Sequence, residues 1–243
     1  MTKGLVALVT NATHFVGVAS AKALAAEGAR VVCHDLSFSD PAAGAAFSVA
    51  HPGFAITAQC DPDAALADVE TRLGPLDVLV SNDFFPAVRA PIDEAKVDDL
   101  RAGMEALFIT PYRFAAAAAK QMKLRRSGKI IFVTSAAPLE GLANYTMYAC
   151  GRGATNALVI SLARELAAFN IQVNAVAPNY VASPSYFPAD LIANPDALKR
   201  MTDKIPLRRL GTPEEVASAV SFLASPGSNF VTGHIMPVAG GWA

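Results

Sequence analysis

The sequence predicts an α/β domain built on a doubly wound parallel sheet, and three observations predict it. Short, almost purely apolar runs recur along the 243 residues, separated by stretches of helical period. The runs lack polar alternation, as strands covered by helices on both faces require. Residues able to carry chemistry collect just beyond several of these runs, where open α/β sheets place their ligands.

In chain order, residues 5–9 read as a compact apolar strand. Thr10-Asn11-Ala12-Thr13-His14-Phe15-Val16-Gly17 follows, then a helix to about Glu27 that Gly28 stops, and a strand over 29–33 that leads to Asp35. This βαβ opening makes the fold Rossmann-like. Residues 40–74 read coarsely, as a variable segment, a short strand near 54–57 and a helix over about 63–73. A strand over 76–80 closes at Ser81-Asn82-Asp83, and 97–123 read as one long helix with Pro111 as its point of bending. The run 130–133 is a buried strand ending at Ser135, and a turn-rich connection leads to a helix over about 147–169. A strand over 172–177 ends in Pro178-Asn179-Tyr180-Val181. Residues 182–194 lack helical period and read as a loop over the crevice. Thr212-Pro213-Glu214-Glu215 is a capped helix start, and 235–238 form the last strand. With no linker in view, residues 1–243 are expected to form a single domain.

Composition narrows the function. A content of 53% hydrophobic and 17% charged residues excludes a disordered chain, and no apolar run approaches the length of a membrane span. The start, Met-Thr-Lys-Gly, leads directly into a strand, so no secretion signal is expected. A net charge of −1, with its main basic cluster at Lys120 to Arg126 reading as a helix end, argues against nucleic-acid binding. Cys33, Cys60 and Cys150 are odd in number and show no paired spacing, which fits reduced thiols in a cytoplasmic protein. His14, His34, His51 and His234 show no ligand spacing, and no metal site is expected.

The chemistry centres on Ser135, Tyr148 and Arg152. Tyr148 and Arg152 stand four residues apart in a predicted helix and share a face, while Ser135 ends the preceding strand. A free phenol has a pKa of about 10. A cation held close favours the phenolate, so Arg152 is placed to make Tyr148 a usable base, and the Ser135 hydroxyl can hold a substrate oxygen against it. Taken alone, the helical pair also fits a packed ring beside a solvated cation; the triplet carries the inference.

A serine, a tyrosine thirteen positions on and a basic residue four beyond that resemble the catalytic pattern of the short-chain dehydrogenase/reductase superfamily. The resemblance covers nearly the whole chain, with four departures. Arg152 stands for the usual lysine, and Asn11 and Phe15 replace the first two glycines of T-G-x-x-x-G-x-G, leaving only Gly17. Ser81-Asn82-Asp83-Phe84 replaces Asn-Asn-Ala-Gly, and no asparagine lies between Lys96 and Arg126. With the Pro178-Asn179-Tyr180 turn, these departures resemble the halohydrin dehalogenases.

That resemblance implies an enzyme without a nicotinamide cofactor. It would convert a vicinal halohydrin into an epoxide, halide and a proton, and run in reverse with small anions. Tyr148 would be the base, Arg152 its partner and Ser135 the holder of the substrate oxygen, with Asp83 orienting Arg152 or passing the proton outward. Phe15, Pro178, Asn179, Tyr180, Val181 and Phe187 would surround the halide, with backbone amides of the 178–181 turn as donors. Phe85, Ala137, Leu142 and Tyr145 would form substrate walls, and the assembly would be a homotetramer. Two other readings remain at this stage. One is an NAD(P)-dependent dehydrogenase or reductase, kept open by Asp35, which can hold a ribose or act as a structural cap. The other is a non-catalytic binding or regulatory protein, against which intact Ser135 and Tyr148 argue.

Overall fold

Among the described residues, seven short apolar runs form strands: β1 (Val6–Val9), β2 (Arg30–His34), β3 (Ala55–Thr57), β4 (Val78–Asn82), β5 (Gly128–Val133), β6 (Ile171–Pro178) and β7 (Ile235–Val238). The structure, a computed structural model, describes residues 2, 4–187 and 189–243. All strands are parallel and lie in the order β3-β2-β1-β4-β5-β6-β7. The order reverses between β1 and β4, which opens a crevice beyond their carboxyl ends.

The apolar runs are continuous because both sheet faces are covered. Ile130 and Phe132 of β5 pack with Leu8, Leu79 and Phe114 on one face, whereas Ile131 and Val133 pack with Val9, Val80 and Val220 on the other. Successive strand residues point to opposite faces, so two covered faces demand an unbroken apolar run.

The helices are α1 (Gly17–Ala26), α2 (Pro41–Ala50), α3 (Pro62–Leu73), α4 (Val97–Met104), α5 (Thr110–Arg125), α6 (Ala137–Glu140), α7 (Thr146–Leu166), α8 (Ala189–Ala193), α9 (Pro195–Thr202) and α10 (Pro213–Ala224). Helix α10 starts with a full capping box: the Thr212 hydroxyl accepts from the Glu215 amide, and the Glu215 carboxylate accepts from the Thr212 amide.

Several local readings are corrected. The helix expected over 97–123 is divided by a π-helical turn, Glu105–Ile109. Pro111 has no N–H to offer the Leu107 carbonyl four residues back, and its ring crowds that oxygen. The freed carbonyl instead accepts from the Thr155 hydroxyl at 2.5 Å, which ties the interruption to α7. The segment read as variable contains α2, whose signal was Asp40-Pro41: the Asp40 carboxylate accepts from the Ala42 amide and Pro41 opens the helix. The turn-rich connection after β5 contains α6. The expected loop over 182–194 begins with a Ser183–Phe187 antiparallel bridge and contains α8, while Pro188 lies outside the described residues.

Candidate active site

Loops from the carboxyl ends of β1, β4, β5 and β6 meet in one cavity of about 780 Å³. The β1 loop turns through left-handed backbone at Asn11 (φ 45°) and Phe15 (φ 46°), the two places where the superfamily pattern has glycine. Glycine adopts this conformation freely, asparagine tolerates it, and a phenylalanine is held there only by its surroundings. The surroundings are explicit. The Phe15 amide donates to the Ser185 hydroxyl at 3.1 Å, and its ring packs edge-on against Tyr186 with centroids 5.2 Å apart. Gly17 keeps its glycine for another reason: a Cβ there would lie 2.5 Å from the Ala12 carbonyl oxygen.

Ser135 and Tyr148 both line the cavity, and Arg152 lies fully buried behind them. The Ser135 hydroxyl accepts from the Ala137 amide at 3.0 Å, which leaves its proton for a ligand oxygen. Arg152 donates from Nε to the Tyr148 hydroxyl at 3.3 Å and from Nη1 to the Val133 carbonyl at 2.9 Å. Its Nη2 donates to the Asp83 carbonyl at 2.8 Å and to the Tyr186 hydroxyl at 3.1 Å. Burial opposes the charge on the guanidinium, yet Tyr148, Tyr186 and Asp83 together raise its pKa above the ordinary arginine value. The planar fork is thus spread over the ends of β4 and β5 and two phenols, a geometry that an ammonium group cannot reproduce.

Asp83 is expected to orient Arg152 or to pass the proton outward. Its main-chain carbonyl is what holds the guanidinium; its carboxylate Oδ2 accepts from the Ser81 hydroxyl at 2.8 Å, and Oδ1 has no hydrogen-bond partner among the described residues. Burial pushes this carboxyl up to about 7, against the lowering pull of the Ser81 bond and the Arg152 charge. A carbonyl serves because the strand end fixes it in place, while the side chain turns back onto Ser81.

Phe15, Pro178, Asn179, Tyr180, Val181 and Phe187 all line the cavity. The backbone donors expected from the 178–181 turn are largely committed. Pro178 has no N–H, the Asn179 amide donates to Val238 at 3.3 Å, and the Tyr180 amide donates to the Asn179 side-chain oxygen at 2.9 Å. That last bond fixes the amide's orientation and leaves Asn179 Nδ2 buried without a protein partner among the described residues. One unpartnered donor of this turn is thus a side chain, released where Tyr180 turns left-handed (φ 53°) and folds its amide back. Of the expected substrate walls, Ala137, Leu142 and Tyr145 line the cavity. Phe85 does not: its ring lies beside Gly103, where an added Cβ would sit 3.5 Å away, and its carbonyl accepts from Tyr186 at 3.2 Å.

Tyr186 is the residue that sequence reasoning missed. Its hydroxyl joins Arg152 and Phe85, and its ring touches the rings of Phe15, Phe84 and Tyr148. Burial raises its pKa, with the Arg152 charge opposing, so this phenol stays protonated. The aromatic pair in the 182–194 segment was the available signal, but spacing alone does not say which ring turns inward.

The same loops answer whether a nicotinamide dinucleotide fits. Asp35, at the end of β2, has both carboxylate oxygens occupied: Thr13 donates its amide at 3.0 Å and hydroxyl at 2.6 Å, and Ser37 its amide at 3.0 Å and hydroxyl at 2.7 Å. A ribose would have to displace these donors. Asp35 is a structural cap, and with the Phe15 ring in the cavity the residues present do not fit the dinucleotide. Among the described residues no cluster of His, Cys, Asp and Glu is arranged to hold a metal, and no helix is long and apolar enough to cross a membrane.

The enoyl-(acyl carrier protein) reductase family profile matches residues 12–243. Among curated relatives, the 2-dehydro-3-deoxy-D-gluconate 5-dehydrogenase of Formosa agariphila is 31% identical, covering 98% of this chain and 92% of its own. The cis-4-hydroxycyclohexanecarboxylate dehydrogenase of Sinomonas cyclohexanicum is 36% identical, covering 98% and 96%. Among solved structures, a dehalogenation enzyme superposes with a TM-score of 0.97 at 44% identity, over 100% of this chain and 99% of that one. A halohydrin dehalogenase bound to ethyl (2S)-oxiran-2-ylacetate superposes with a TM-score of 0.94 at 40% identity, over 97% and 96%. The chain belongs to the short-chain dehydrogenase/reductase superfamily and, within it, to the halohydrin dehalogenase family.

Proposed function

We propose that this protein converts vicinal halohydrins into epoxides without a nicotinamide cofactor, and opens epoxides with small anions in reverse. The observation that carries the reading is the guanidinium of Arg152 locked beside the Tyr148 hydroxyl while Phe15 and the saturated Asp35 leave no seat for a dinucleotide.

A halohydrin holds its nucleophile next to its leaving group, so removing one proton starts an intramolecular displacement. The Ser135 hydroxyl donates to the substrate oxygen and holds it against Tyr148. The Tyr148 oxygen, held beside the Arg152 guanidinium, takes the hydroxyl proton. The new C–O bond forms as the C–halogen bond breaks, and the halide leaves with the bonding pair. Asn179 Nδ2 is a buried, unpartnered donor for the departing anion, within a wall of Phe15, Tyr180 and Phe187. In reverse, the Tyr148 phenol protonates the epoxide oxygen as azide, cyanide or nitrite attacks carbon.

The decisive experiment incubates pure protein with a bromohydrin and no cofactor. Stoichiometric release of bromide and acid is expected. Saturable NAD or NADP uptake with hydride transfer would instead favour an NAD(P)-dependent enzyme, the reading that the named activities of the curated relatives support. Neither activity would leave a binding or regulatory role. We further propose a cytoplasmic homotetramer; the exposed apolar side chains of Ile109 in the π turn, Tyr112 on α5 and Ile160 on α7 support an assembly through these helices.

A further inference from the structure

We propose that the preferred substrate is a halohydrin or epoxide carrying an apolar spacer that ends in a carboxylate, received by Arg89 and Lys204 at the rim of the cavity. The proposal rests on the dehalogenase reading and names its substrate class.

Three observations carry it. First, a cavity of about 780 Å³ lies in the range that encloses drug-sized ligands, about 300–1,000 Å³, and far exceeds what the reacting carbons need. The reacting end must sit between Ser135 and Tyr148, so the rest of the cavity is available to a substituent. Second, the lining beyond those residues includes Pro86, Leu142, Leu191 and Met201, which suit a hydrocarbon segment and give a polar chain no partners. Third, the charged residues lining the cavity are Arg89, in the connection between β4 and α4, and Lys204, just after α9. No Asp or Glu joins them among the described lining residues.

Both side chains are exposed, and neither has a carboxylate or other side-chain partner among the described residues. Neighbouring cations are engaged: Lys199 with Asp203 at 2.8 Å and Arg209 with Glu215 at 2.6 Å. Two unengaged cations from separate segments, facing one cavity without a countercharge, form a positive mouth. Such a mouth concentrates anions and holds the end of a chain that reaches it.

The test uses the ω-bromo-(ω−1)-hydroxy derivatives of hexanoic, octanoic and decanoic acid, the primary amide of each, and a small neutral bromohydrin without a chain. Bromide release is followed with the full-length protein and an Arg89→Ser, Lys204→Ser double variant. At low ionic strength the unaltered protein is expected to favour at least one acid over its amide by about fivefold in kcat/KM, chiefly through KM. The preference should shrink with added salt and vanish in the double variant, whose turnover of the small neutral compound stays unchanged. Turnover of the amides and the neutral compound without preference for any acid overturns this proposal alone, as does a preference that survives in the double variant. No turnover of any bromohydrin overturns the dehalogenase reading and this proposal with it.

Discussion

Arg152 Nη2 donates to the Tyr186 hydroxyl across 3.1 Å, joining α7 to a loop 34 residues further along the chain. The same hydroxyl donates to the Phe85 carbonyl at 3.2 Å, so one phenol holds the β4 loop, the β6 loop and the guanidinium together. Arg152 in turn reaches Tyr148 through Nε, and the base is positioned by a network whose far end is Tyr186.

Tyr186→Phe keeps the ring contacts and removes both hydrogen bonds. The buried Arg152 and the half-buried Phe85 carbonyl then lose a partner, which costs about 1–3 kcal/mol of stability. Bromide release is expected to slow about tenfold, and thermal unfolding with single-turnover kinetics separates the two effects. A variant with unchanged Tm and unchanged turnover would show that the network is not held from this end.

Tyr148→Phe removes the proton acceptor while its ring stays in place. Turnover is expected to fall by about 10²–10⁴, the usual worth of a positioned acid or base, with the fold retained by circular dichroism. Substantial residual turnover would move the base elsewhere.

Arg152→Lys keeps a charge and loses the fork. One ammonium cannot reach the Val133 carbonyl, the Asp83 carbonyl and both phenols at once, so at least one buried acceptor goes unpaired. A loss of about 1–3 kcal/mol in urea unfolding is expected, with activity at least about tenfold lower. The lysine of ordinary superfamily members would not substitute here.

Asp83 gives the pH dependence a sign. Its carboxyl is raised from 3.8 in the ordinary case to about 7 in the fold. Within that window the folded protein holds a proton the unfolded chain has lost, so stability falls as pH rises and levels off above about 7. Asp83→Asn has no such proton and keeps an acceptor for Ser81. Relative to the variant, the unaltered protein should lose up to about 1.4 kcal/mol per pH unit across the window, read by unfolding at several pH values. Parallel curves for the two proteins would refute the assignment.

The chain order of local signals carried most of the fold. Unbroken apolar runs reported strands covered on both faces, and the Thr212 and Glu215 pair reported a helix start, because these depend on neighbours a few residues away. The four-residue spacing of Tyr148 and Arg152 was legible for the same reason. Pro111 marked a disturbed helix, but its resolution as a π turn needed Thr155 on another helix to donate its hydroxyl to the freed carbonyl.

The sequence by itself determined the fold class, the strand ends that carry Ser135 and Asp83, and the helical pairing of Tyr148 with Arg152. Only the tertiary structure decided which groups are already spent. Asp35 could hold a ribose or cap a turn until Thr13 and Ser37 closed on it, the 178–181 amides looked free until Val238 and Asn179 claimed two of them, and Asp83, expected to orient Arg152, meets it through its main-chain carbonyl. The physical reason is that a hydrogen-bonding group's identity is written in the chain, whereas its vacancy depends on residues brought to it from a distance, and chemistry at this site is done by the groups left vacant.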